Sequence, residues 1–145
     1  METVKKMNSY LADLAVMNVK LHNLHWNVVG KQFVSIHKFT EELYEDLFEK
    51  YDAVAEELKM LGEIPASTMV EYLKITDVKE ESPRAFTVEE VLDHLVSDLN
   101  ILKTKALHIR KSASEEDSFA VANMMEDHSS EYNKNLWFLK AMLAA

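Results

Sequence analysis

The chain contains no cysteine. That absence removes disulfides, thiolate metal ligands and thiol nucleophiles together, and it is compatible with a reducing compartment. Any metal site must be built from nitrogen and oxygen donors. Glycine and proline are scarce, at two residues each. Few tight turns can be made from such a chain, whereas its abundance of Leu, Ala, Glu, Lys and Met suits long helices. No stretch approaches the roughly 18 continuous apolar residues of a membrane span, and no apolar signal-peptide region follows the first lysines. The expectation is a soluble, cytoplasmic protein. Positive charge is also in deficit, with 16 Lys and Arg against 25 Asp and Glu, a net charge of −9. Nucleic acids and anionic membranes are held by cations that neutralise phosphate, so this balance disfavours both and favours cations as partners.

What is present reads as one all-α domain over residues 1–145. Apolar residues recur at three- and four-residue steps from about Val4 to Val28, through Met7, Leu11, Leu14, Met17, Leu21 and Leu24, and Gly30 reads as the residue that ends this helix. A second pattern spans about Val34 to Leu61, on Ile36, Leu43, Leu47, Val54 and Leu58, and is stopped by Gly62 and Pro65. The connection from Pro65 to Pro83 is too long for a hairpin, and Ser67–Leu73 fits a short extra helix. Thr87-x-x-Glu90 is a capping-box pattern opening a third helix to about Lys111. Ser114-x-x-Asp117 resembles another cap, starting a fourth helix through Leu143. Four helices with one long crossover between the second and third describe a ferritin-like four-helix bundle rather than a simple up-and-down one.

Three polar pairs interrupt these helix-compatible surfaces with metal-capable side chains: His22/His25, His37/Glu41 and Asp52/Glu56. The latter two pairs have four-residue spacing, which places each on one helix face. Asp52 lies fifteen residues beyond His37, about 22 Å away along a helix at 1.5 Å per residue. The two pairs cannot share an ion within one subunit. At 100° per residue, Asp52 nevertheless returns to within about 60° of the direction of His37. A two-fold axis near Asp46 and Leu47 would set this helix antiparallel to its copy, with His37 and Glu41 of one chain opposite Asp52 and Glu56 of the other. His25 can add a nitrogen ligand if the first helix packs alongside. Imidazole and carboxylate donors suit Fe(II), Mn(II) or Zn(II), and the carboxylates stabilise Fe(III) after oxidation.

The runs Leu24-His25-Trp26-Asn27-Val28-Val29-Gly30, Ile36-His37-Lys38-Phe39-Thr40-Glu41-Glu42-Leu43-Tyr44 and Tyr51-Asp52-Ala53-Val54-Ala55-Glu56-Glu57-Leu58 together resemble the signature of the Dps family of mini-ferritins. The likeness extends over nearly the whole chain, including the Pro65–Pro83 crossover and the Trp137 region. It implies that His25, His37 and Glu41 of one subunit, with Asp52 and Glu56 of its mate, form a ferroxidase centre; Glu41 stands where many relatives have Asp. It further implies a hollow dodecamer that oxidises Fe(II), preferentially with hydrogen peroxide, and stores ferric mineral, with Zn(II) or Mn(II) as possible substitutes at the site. Within that framework Trp26 is either an interceptor of oxidising equivalents or an interface or core aromatic. Glu45 and Glu49 are either mineral-nucleating or simply a solvated stripe. Glu115, Glu116 and Asp117, with Glu126 and Asp127, are candidate pore residues, the first three also explained as helix-start acids.

His94 and Asp98 have metal-like spacing but no supporting pattern and are left out, while His108 and His128 read as surface or packing residues. His22 is a candidate supporting group for the site, or a core hydrogen-bonding residue. An intrasubunit di-iron oxygenase would need Glu-x-x-His pairs, and none occurs. DNA coating, found in part of the Dps family, usually needs a mobile basic tail. Here only Lys5 and Lys6 precede the first helix and the chain closes Leu143-Ala144-Ala145, so direct DNA binding is not expected.

Overall fold

The leucine and methionine stripes converge on a single interior. The computed structural model describes residues 2–144. Four long helices, α1 (Glu2–Asn27), α2 (Phe33–Met60), α4 (Val88–Glu115) and α5 (Phe119–Leu143), are joined by short links except between α2 and α4, where the crossover carries the short helix α3 (Met69–Ile75). This is the expected all-α four-helix bundle with an extra helix in the long crossover. Helix α1 packs against α2, α3 and α4, and α4 packs against α5. Met7, Leu11, Leu14, Met17, Leu21, Leu24, Leu47, Leu58, Leu95, Leu99 and Leu102 are fully buried.

The helix boundaries follow local chemistry. Thr87 caps α4 by accepting the N–H of Glu90, and Glu90 returns a bond to the N–H of Thr87, completing the expected capping box. That N–H and the nearby Arg84 guanidinium hold the Glu90 carboxyl at about 2. Helix α2 closes on Gly62, whose φ of 86° permits the Glu63 N–H to reach back to the Leu58 carbonyl at 3.0 Å. Helix α3 begins two residues later than expected because Thr68, not an earlier residue, accepts the N–H of Glu71.

Two expected boundaries are corrected. Ser114 does not cap the last helix: α4 runs on through it to Glu115. The stop is made by Asp117 at φ 58°, with Ser118 N–H bonding Ala113 O at 2.8 Å and Asp117 N–H bonding Ser114 O at 3.2 Å. These are the two bonds of a Schellman ending, with aspartate in the place glycine usually takes. Gly30 does not terminate α1 either. The helix stops at Asn27, and Val28–Val29 form a two-residue strand, β1, parallel to Phe86–Thr87, β2. Lys5 and Lys6 lie inside α1, not before it, and Ala145 of the terminal Leu143-Ala144-Ala145 lies outside the described residues.

Charged groups are embedded in the bundle. Lys20 of α1 meets Asp98 of α4 at 2.8 Å with both side chains almost wholly buried. Asp98 is therefore one half of a buried ion pair. Asp13, fully buried, meets Lys105 at 2.5 Å and accepts from the Thr76 hydroxyl at 2.7 Å and the Asp77 N–H at 2.9 Å, which ties the crossover to α1. Removing one partner of such a pair strands a buried charge, a cost of about 3–5 kcal/mol.

His128 is a packing residue with a partner. Its Nδ1 lies 2.9 Å from the hydroxyl of Tyr10, which also bonds the hydroxyl of Tyr132. Burial, helped by the Lys50 ammonium, lowers its pKa to about 3. His108, by contrast, is exposed. Because the folded value of His128 lies below the ordinary 6.5, the unfolded chain binds the extra proton first, and its contribution destabilises the fold as pH falls from about 6.5 towards about 3. Replacing His128 with Gln is expected to remove up to about 1.4 kcal/mol per pH unit from the slope of stability in that window. Denaturant melts of parent and variant at successive pH values measure it; identical slopes would contradict the assignment.

Candidate metal centre

The antiparallel packing of α1 on α2 sets the C-terminal end of one beside the N-terminal end of the other, and this brings His25 to His37. Their rings stack at 3.7 Å between centroids and 15° between planes. The approach is fixed by the link between the helices. Strand β1 is hydrogen-bonded to β2 at the start of α4, and Gly30, at φ 128°, turns the chain so that its carbonyl accepts the N–H of Phe33 at 3.1 Å. The Cβ of another residue at position 30 would meet only Val88, at 3.7 Å, so backbone conformation and not space is what calls for glycine.

The hydrogen bonds of the two rings determine what they offer a metal. His37 Nδ1 is 2.9 Å from the backbone carbonyl of His25, which can only accept, so that nitrogen carries the proton. His25 Nδ1 is 2.9 Å from Thr40 Oγ1. The Thr40 hydroxyl hydrogen is directed at the carbonyls of Ile36 (2.8 Å) and His37 (3.0 Å), which leaves its oxygen to accept from His25. Both imidazoles are thus held with a free lone pair on Nε2, the form that ligates a cation. His25 is 4% exposed, and burial followed by repulsion from His37 lowers its pKa, favouring the neutral ligand.

Glu41, one turn beyond His37, is exposed, and its charge acts on His25. Asp52 and Glu56 are exposed further along the same unbroken helix, about 22 Å or more from His37 on the helix axis. Among the described residues none of these three carboxylates has an ion-pair or hydrogen-bond partner, and no group of three or more His, Asp or Glu side chains is gathered closely enough to hold a metal ion. One chain therefore brings His25, His37 and Glu41 into one neighbourhood and leaves Asp52 and Glu56 apart.

Several neighbours complete the picture. His22 donates from Nδ1 to Asn18 O in its own helix at 2.6 Å and stacks on Tyr44 at 4.0 Å, forming an aromatic wall edge-on to His25. Trp26, 67% exposed, is not a core residue. Glu45 and Glu49 edge a shallow hollow of about 400 Å³ with His22, Tyr44 and Phe48. Glu126 is paired with Arg110 at 2.9 Å. Glu115 and Glu116 lie at the end of α4 instead of the start of α5, where the helix dipole opposes acidic charge, so the helix-start explanation fails for them, while Asp117 stands in the link directly before Ser118, the N-cap of α5. Thr40 was not singled out by the sequence pattern; the only signal was a polar residue on the buried stripe three positions after His37.

The fold is shared with proteins of known sequence and structure. The Ferritin-like domain family matches residues 4–145. A Helicobacter pylori DNA protection during starvation protein is 33% identical over 144 residues, covering 99% of this chain and 100% of the relative. The crystal structure of antigen TpF1 from Treponema pallidum superposes with a TM-score of 0.97 at 30% identity, covering 99% of this chain and 92% of that one. A Vibrio cholerae Dps protein, described as a member of a broad superfamily of ferritin-like diiron-carboxylate proteins, superposes at 0.94 with 30% identity over 98% of this chain and 89% of that one.

Replacing Thr40 with Val keeps the shape but removes the acceptor for His25 Nδ1–H. Zn(II) affinity, followed by competition with a chelating dye, is expected to fall about tenfold or more. An unchanged affinity would show that Thr40 does not orient the ligand.

Proposed function

Because the chain belongs to the Dps family of ferritin-like proteins, we propose that it is a ferroxidase and iron-storage protein whose centres are completed between two copies of one ferritin-like domain. The observation that carries this reading is the stacking of His25 of α1 on His37 of α2, both Nε2 atoms free, while the Asp52 and Glu56 carboxylates of α2 are unpaired yet out of reach. An isologous dimer closes that gap twice. In it, His25, His37 and Glu41 bind Fe(II) together with Asp52 and Glu56 of the partner subunit. The mixed nitrogen and oxygen donors accept Fe(II), and the carboxylates favour the harder Fe(III) product. Zn(II) or Mn(II) would fit the same donors.

Hydrogen peroxide takes one electron from each of two Fe(II) ions and, with two protons, becomes two molecules of water. Dioxygen is the alternative oxidant. The ferric ions then hydrolyse and accumulate inside a dodecameric shell in the cytoplasm. Consuming Fe(II) and peroxide together suppresses hydroxyl-radical formation and protects against oxidative damage.

Anaerobic Fe(II) followed by peroxide is expected to give rapid ferric absorbance in the parent and a loss of about a hundredfold in rate in His37→Ala and in Asp52→Ala. Equal rates in parent and variants would refute the site. Co-refolding the two variants should restore part of the activity, because some mixed dimers hold one intact centre; no recovery would refute sharing between chains.

The alternative reading is a DNA-condensing protein, supported by the name of the Helicobacter pylori relative. The net charge of −9 opposes it. A mobility-shift assay at low salt is expected to show no saturable complex, and a saturable shift would overturn that expectation.

A further inference from the structure

Among the described residues two pairs of tyrosines are hydrogen-bonded, Tyr10 with Tyr132 and Tyr51 with Tyr72, and the first adjoins a base. Tyr51 bonds Tyr72 at 2.7 Å, and the Tyr72 hydroxyl donates to the Ala66 carbonyl at 2.7 Å, an acceptor that cannot take up a proton. The Tyr10 hydroxyl sits between that of Tyr132 and the Nδ1 of His128. Tyr10 and Tyr132 have no solvent exposure, and His128 has 6%. Asp46 and Glu131 lie near this group through Lys50, whose ammonium they hold at 2.6 and 3.3 Å. Burial keeps His128 neutral at ordinary pH, so Nδ1 is free to accept from Tyr10 while the Tyr132 hydroxyl donates to the Tyr10 oxygen.

From this geometry we propose that Tyr10, with His128 as its proton acceptor, is a redox sink for one-electron oxidising equivalents that escape the metal centre. A phenol that loses an electron becomes a far stronger acid than an imidazolium, so its proton moves along the existing hydrogen bond. The hydroxyl radical is the oxidant: it takes the electron from Tyr10 and becomes hydroxide, while the phenolic proton passes to His128 Nδ1. When His128 releases that proton, the hydroxide is neutralised to water, and the net products are water and a neutral tyrosyl radical. A further Fe(II) supplies one electron and the medium one proton, restoring Tyr10 and leaving Fe(III). The source of oxidant rests on the iron–peroxide reading; the tyrosine–histidine couple does not.

The test separates the two. Azide radicals generated by pulse radiolysis oxidise the assembled, iron-free protein, and tyrosyl absorption and electron paramagnetic resonance follow the product. The parent is expected to form a persistent tyrosyl radical. Tyr10→Phe should abolish this radical, and His128→Gln should shorten its lifetime about tenfold, the consequence of losing the hydrogen-bonded base. Tyr132→Phe, which keeps that base, should retain the radical with a shifted resonance, and Tyr51→Phe should behave as the parent. No persistent radical in the parent, an unchanged signal in Tyr10→Phe, or loss only in Tyr132→Phe would overturn the assignment. In a parallel experiment with Fe(II) and peroxide, Tyr10→Phe should oxidise iron at the parental rate while accumulating more oxidised tryptophan. Failure of the parent to oxidise iron would refute the ferroxidase reading without touching the azide result.

Discussion

An uninterrupted α-helix holds its residues at a fixed rise, and the account depends on that constraint. Helix α2 runs 28 residues without proline, glycine or a break. It therefore carries two sets of potential ligands about 22 Å apart that cannot fold back on each other. The first set is given a partner inside the chain, because α1 delivers His25 to His37. The second set is left as bare carboxylates facing the same general direction. Length and phase of one helix thus keep the two sets apart within a chain, and the proposed centre needs symmetry between two copies to bring them together.

The His25/His37 pair is prepared by its surroundings. Thr40 and the His25 carbonyl hold the two Nδ1 protons, the short β1–β2 pair fixes where α1 yields to α2, and burial keeps His25 neutral. Elsewhere the apolar interior of the bundle also holds ion pairs and the Tyr10–Tyr132–His128 group. Ammonium groups of Lys20 and Lys105 already neutralise the carboxylates Asp98 and Asp13. Among the described residues the interior therefore offers no vacant acidic cluster to a metal, and the sequence has no Glu-x-x-His pair.

Much of this was readable from the sequence where a signal is local. The capping box at Thr87, the glycine stop at Gly62 and the i,i+4 pairs on α2 are contained within a few residues and appear as expected. Ser114 misled because a serine followed by an acid at the right spacing also fits a helix interior, and the stop was made by an aspartate in the left-handed region. Gly30 misled because the residues before it leave the helix to pair with Phe86 and Thr87, far along the chain. Thr40, Lys20 and the partner of His128 were hidden for the same reason: each acts across helices, and composition alone assigns threonine and lysine to solvent. The proposed five-residue centre rests on helix geometry and family likeness, because Asp52 and Glu56 lie out of reach of His25 and His37 within one chain.

The most direct measurement is a crystal structure of the assembled protein soaked with Zn(II), with the ion located by its anomalous scattering. The account predicts the ion on the Nε2 atoms of His25 and His37 with carboxylate oxygens of Asp52 and Glu56 of the partner subunit. An ion held wholly by residues of one chain, or seated away from His25 and His37, would contradict it.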